Sequence, residues 1–76
     1  MGANFYFDEM LPTVGPEAPG IANPQRQLEL FTHGGKICLR IGAVNCENSG
    51  TNRYTVELSP DVAAELASAL KLLAEA

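Results

Sequence analysis

The thiol and imidazole side chains of this 76-residue chain are His33, Cys38 and Cys46. An imidazole beside a thiol lowers the thiol's pKa and activates it, so a Cys/His pair is the sharpest catalytic reading. Catalysis also needs donors for the developing charge and a cleft that excludes water. Nothing in the sequence marks an oxyanion hole, and Cys38 falls in the middle of a strand pattern. A structural zinc site needs about four ligands in closely spaced pairs, and neither CxxC nor HxxxH occurs. Gly34-Gly35 lacks the GxxxxGK[ST] context of a phosphate loop. The chain is therefore expected not to be an enzyme, with no catalytic residues, no metal site and no cofactor. Cys38 and Cys46 are expected to be free thiols, because no export signal precedes them.

A second group of residues points to binding. Phe5, Tyr6, Phe7, Asp8, Glu9, Met10 and Leu11 join three of the chain's five aromatic side chains to two carboxylates. Aromatic rings supply most of the energy of protein interfaces, and flanking acids suit a basic rim on the partner. Phe31 joins this set. Its place in the strand pattern puts it on the face opposite the expected core, where it is covered by the N-terminal arm, by a second copy, or by a partner. The alternative for residues 5–7 is that they pair with an edge strand as a fourth strand, which is also how a strand is added to another protein's sheet.

Composition narrows the classes of partner. Nine acidic and five basic side chains leave a net charge of −4. That is the wrong sign for a protein that binds by displacing counterions from phosphates, so direct nucleic-acid binding is disfavoured. No apolar run approaches the ~20 residues that span a bilayer, and the first residues lack the basic and apolar regions of a secretory signal. No membrane partner is expected, and an intracellular, cytoplasmic setting is. The 46% hydrophobic content is that of a globular chain. At this length it is not expected to enclose a ligand pocket of about 300 Å³ or more.

The elements that must position these residues follow from pattern. Residues 1–25 hold four of the five prolines and read as an extended, flexible acidic arm. Residues 26–76 read as a β-β-β-α domain. Leu28, Leu30 and Thr32 alternate with Glu29, Phe31 and His33, and Ile37, Leu39 and Ile41 alternate with Cys38 and Arg40. Gly34-Gly35 between them is a two-residue hairpin turn, which sets Glu29 across from Arg40, Phe31 from Cys38 and Leu30 from Leu39. Tyr54, Val56 and Leu58 supply a third strand, with Ile41 facing Val56 and Arg40 between Glu29 and Glu57 as the preferred register. Ser59-Pro60-Asp61 starts a helix that runs to about Ala74. Its stripe of Val62, Leu66, Ala69, Leu70 and Leu73 should lie on the sheet's apolar face. The expected fold is α+β: a three-stranded antiparallel meander with one C-terminal helix packed on one face, and an arm able to add a strand.

In size and composition the chain is similar to small acidic accessory or inhibitor proteins of bacteria and their phages. That resemblance implies a larger host enzyme as partner, for example RNA polymerase or a defence nuclease. The function expected is a small non-catalytic protein-binding module acting through its acidic aromatic arm and a sheet edge. Two other readings compete with it. One is a homodimeric structural or regulatory domain, and the other is a redox or metal sensor built on Cys38 and Cys46.

Overall fold

The structure, a computed structural model, describes residues 4–14, 22–44 and 53–76. The described residues form an α+β fold with four strands and one helix: β1 (Asn4–Pro12), β2 (Gln25–His33), β3 (Lys36–Val44), β4 (Tyr54–Leu58) and α1 (Pro60–Ala74). The strands form one antiparallel sheet in the order β1-β2-β3-β4. The strand that the arm was able to add is formed. The expected loop over residues 45–52 lies outside the described residues, as does Cys46.

The central hairpin is the best-determined part of the sequence pattern. Gly34 and Gly35 take φ of 60° and 79°, the left-handed pair that a primed turn needs and that residues with a Cβ resist. The strands therefore pair His33 with Lys36, Phe31 with Cys38, Leu30 with Leu39, Glu29 with Arg40 and Leu28 with Ile41, as the turn dictates. The β3–β4 register differs from the expectation by two residues. Val56 faces Leu39, Tyr54 faces Ile41, and Glu57 lies across from Cys38 instead of Arg40. A shift of two keeps every side chain on its own face, so the apolar pattern is satisfied by either register. Glu57 reaches Lys36 at 3.7 Å in the register that forms.

β1 runs along β2 with one irregularity. Phe5 pairs with Phe31 and Phe7 with Leu30, so Tyr6 is an extra residue in a bulge. The bulge puts Phe5 and Phe7 on opposite faces of the sheet. Beyond β1, the Thr13 N–H donates to the Pro24 carbonyl at 3.1 Å, closing the base of the connection to β2.

The helix starts as its sequence directs. Ser59 has extended backbone, its Oγ accepts the Val62 N–H at 3.1 Å, Pro60 opens the first turn and Asp61 sits at the positive end of the dipole. Its packing departs from expectation, because no residue of α1 is buried. Ala63, Leu66, Ala67 and Leu70 border the sheet across a gap, while Val62 and Leu73 of the expected stripe are exposed. Among the described residues the buried hydrophobic side chains are instead Phe31 and Ala43, and Glu29 is buried with them.

The molecule is correspondingly broad and thin, 39 × 38 × 15 Å. Its radius of gyration is 14.0 Å, against about 11 Å for a compact chain of this length. Its accessible surface is 5784 Å², where a folded monomer of this mass exposes about 4,500 Å².

Candidate functional site

The residues singled out from sequence fall on three surfaces, and the sheet decides which. One face carries a closed polar-aromatic cluster. Phe5 packs on Phe31 with ring centroids 5.1 Å apart and planes tilted by 31°, and the Arg40 guanidinium sits 4.9 Å from the centre of the Phe31 ring. Arg40 also grips the Glu29 carboxylate with two donors, Nε to Oε1 at 2.6 Å and Nη2 to Oε2 at 3.0 Å. This fork geometry is the strongest form of ion pair. The hydrogen bonds that Arg40 donates to Glu29 hold its pKa above the ordinary range; partial burial opposes this, and the charges of Glu29 and Asp8 add to it. Asp8 accepts a hydrogen bond from the Gln27 amide.

Phe31 is therefore not available to a partner in the single chain: it is 7% exposed. The sequence placed it on the correct face, and the cover comes from the chain's own Phe5 and Arg40. Sequence reasoning did not foresee the burial of Glu29, which is 6% exposed. Its pairing with Arg40 was legible from the hairpin register. Its enclosure depends on β1, which brings Phe5 and Asp8 alongside.

The second surface is the outer edge of β1. As the terminal strand of the sheet it has no strand neighbour on that side among the described residues. Tyr6, at the bulge, is 71% exposed, and Asp8 and Glu9 are exposed beside it. Met10 and Leu11 are half-buried. Leu11 lines a cleft at the far end of β1 together with Pro12, Val14, Arg26, Leu28 and Ile41. Of the eight residues expected to bind a partner, Tyr6, Asp8 and Glu9 are exposed along β1, Phe5 packs on Phe31 yet remains 50% exposed, and Phe31 is enclosed.

The third surface was not foreseen. Phe7, Leu28, Leu30 and Leu39 of the sheet and Leu66 and Leu70 of the helix surround a half-open cavity of about 370 Å³. Every lining side chain is aliphatic or aromatic, so the cavity can take up apolar groups but offers no acid, base or nucleophile. Because it opens to solvent, its apolar lining stays in contact with water in the single chain and is available to a second layer. The sheet beyond it is open as well, with Ile41, Tyr54 and Val56 exposed.

The remaining chemistry-bearing residues do not converge. Cys38 is a half-buried free thiol whose sulfur lies 3.9 Å from the Lys36 carbonyl. His33 is exposed at the hairpin end. Among the described residues, no three His, Cys, Asp or Glu side chains are grouped so as to hold a metal ion. No helix among them is long and apolar enough to cross a membrane. No protein-family model matches this chain, and neither a curated protein nor a solved structure shows significant similarity to it.

Proposed function

We propose that the protein is a small non-catalytic protein-binding module that pairs the outer edge of β1 with an extended, basic segment of a larger protein. One observation carries this reading: a nine-residue strand ends the sheet with no further strand beside it among the described residues, and it bears an exposed Tyr6 and exposed carboxylates. Unpaired N–H and C=O groups along such an edge are a template for an added strand, and alternate side chains supply selectivity. Asp8 and Glu9 favour Lys- or Arg-bearing partners and speed their approach. They also disfavour self-pairing, because antiparallel pairing of two β1 strands about their midpoint sets these acids against each other. A basic surface of this kind is common on enzymes that handle nucleic acid, which keeps an RNA polymerase or a nuclease among the targets.

A peptide of alternating lysine and valine serves as probe. Titrated into the ¹⁵N-labelled protein, it is expected to shift the amide resonances of residues 4–12, with weaker binding at higher salt. Glu9→Lys should reduce the affinity several-fold. Shifts confined to the helix, or an affinity indifferent to salt and to Glu9→Lys, would refute the proposal. Capture from a host lysate on the wild-type chain, with the Glu9→Lys chain as control, then identifies the partner.

A further inference from the structure

The open apolar face demands an occupant other than the one that fits the β1 edge. We infer that it is the site at which a second copy of the chain docks, forming a homodimer with the sheet-and-helix faces inward and both β1 edges left free.

The face is self-complementary, which is what a two-fold interface requires. It has a raised part and an open part, both apolar. The raised part is α1. Ala63, Leu66, Ala67 and Leu70 border the sheet, and at helical spacing Val62, Ala69 and Leu73 occupy the flank beside Leu66. Val62 and Leu73 on that flank are exposed. The open part is the end of the sheet that the helix leaves bare, where Ile41, Tyr54 and Val56 sit on adjoining strands. A two-fold rotation lays the helix flank of each chain on the bare sheet of the other. Side chains from the partner also reach the mouth of the cavity bordered by Leu28, Leu30 and Leu39.

The exposed side chains span both parts of the face: Ile41, Tyr54 and Val56 are 42%, 68% and 53% exposed, and Val62, Leu70 and Leu73 are 46%, 60% and 72% exposed. They offer several hundred Å² of largely apolar surface toward the ~800 Å² that a standard interface buries from each partner. A small apolar ligand fills the cavity but leaves Val62, Leu73, Ile41 and Tyr54 in water, whereas a second copy covers them. The cavities under the helix are lined without a charged side chain, and the charged residues on this side of the sheet, Glu9 beside Leu28 and Arg26 beside Leu11, are of opposite sign and lie toward β1, away from Tyr54 and Val56.

Light scattering and sedimentation equilibrium test the inference on the full chain. Between 1 and 100 μM the wild type is expected to show twice the chain mass of 8.1 kDa. Val56→Lys should give the single-chain mass with helix content retained, since Val56 is exposed in the isolated chain and the lysine then meets no burial unless a copy docks. Tyr6→Lys, on the β1 edge, should remain dimeric. A wild-type mass of 8.1 kDa throughout this range, with or without a co-purified apolar ligand, overturns the inference. So does a dimer broken by Tyr6→Lys and untouched by Val56→Lys, which moves the interface to the edge. Because peptide binding at β1 is read from residues 4–12 and dimerisation from mass, either proposal fails without the other.

Discussion

The two faces of the sheet invert the usual relation between composition and burial. The face that carries Glu29 and Arg40 is closed at its centre, around Phe31 and Glu29, while the face built from Leu28, Leu30, Leu39, Ile41 and Val56 is the open one. Closure on the polar side comes from reach. Arg40 and the rings of Phe5 and Phe31 lie flat across neighbouring rungs and cover one another, and a buried charge is tolerated because its counter-charge is held by two hydrogen bonds. The aliphatic side chains of the other face are too short to cover themselves. They need a second layer, and one helix of 15 residues spans only part of the surface. Burial in a thin protein is thus set by what lies above a residue, and hydrophobicity alone does not supply it.

Removing β1 should break the contrast altogether. Deletion of residues 1–13 takes away Phe5 and Asp8 and uncovers Phe31 and the Glu29–Arg40 pair, leaving neither face closed. The truncated chain is expected to lose its cooperative thermal transition in circular dichroism. A truncated chain that melts as sharply as the full one shows instead that residues 26–76 are a self-sufficient domain and that the boundary near residue 25 is real.

The next largest effect isolates the buried pair. Arg40→Ala strands the Glu29 carboxylate and should destabilise by about 3–5 kcal/mol in urea unfolding, whereas exchanging both partners for aliphatic residues, as in Glu29→Leu with Arg40→Met, should recover most of that loss. The pH dependence has a definite sign. Because the Arg40 pKa is raised in the folded state, its contribution is complete at every pH below arginine's ordinary range and is lost only as the pH climbs past it. The difference between wild type and Arg40→Met should therefore stay constant from pH 7 to 10. A difference that shrinks across this window contradicts the assignment.

These contrasts show which parts of the fold were legible in the sequence. Gly34-Gly35 determines the β2–β3 register from His33–Lys36 to Leu28–Ile41, because a two-residue primed turn admits one pairing, but the shift that then sets Arg26 against Val44 had no such signal. Ser59-Pro60-Asp61 locates the helix start to the residue. The bulge at Tyr6 had no local signal, and without it Phe5 and Phe7 cannot be assigned to opposite faces. The β3–β4 register was ambiguous because period-two patterning is blind to a shift of two. Of the candidate site, the aromatic-acidic strand could be read directly. The apolar cavity could not, since the stripe on α1 says that the helix has a partner surface but not how much of the sheet it leaves bare.

The helix offers a smaller but sharper test of the open face. With no residue buried, α1 depends on its cap more than a packed helix does. Ser59→Ala removes the acceptor for the Val62 N–H and should destabilise by about 1 kcal/mol. In hydrogen exchange the first turn is expected to lose protection while β2 and β3 keep theirs. Equal loss in helix and sheet would mean that α1 is locked to the face, and the comparison of a closed with an open side would then fail.

The smallest effect uses charge to read the register that patterning left undecided. Lys36 and Glu57 approach at 3.7 Å with side chains 65% and 58% exposed, so their coupling should be no more than about 0.5 kcal/mol. Glu29 and Arg40 make a pair of the same charge type on the same face, yet with side chains only 9% and 23% exposed. Double-mutant cycles on both pairs, measured in the same buffer, should differ several-fold, and added salt should weaken the exposed pair more than the enclosed one. A third cycle, between Arg40 and Glu57, reports the register itself. It should give no measurable coupling with Thr55 across from Arg40, whereas the register displaced by two residues brings Glu57 against the guanidinium and couples them.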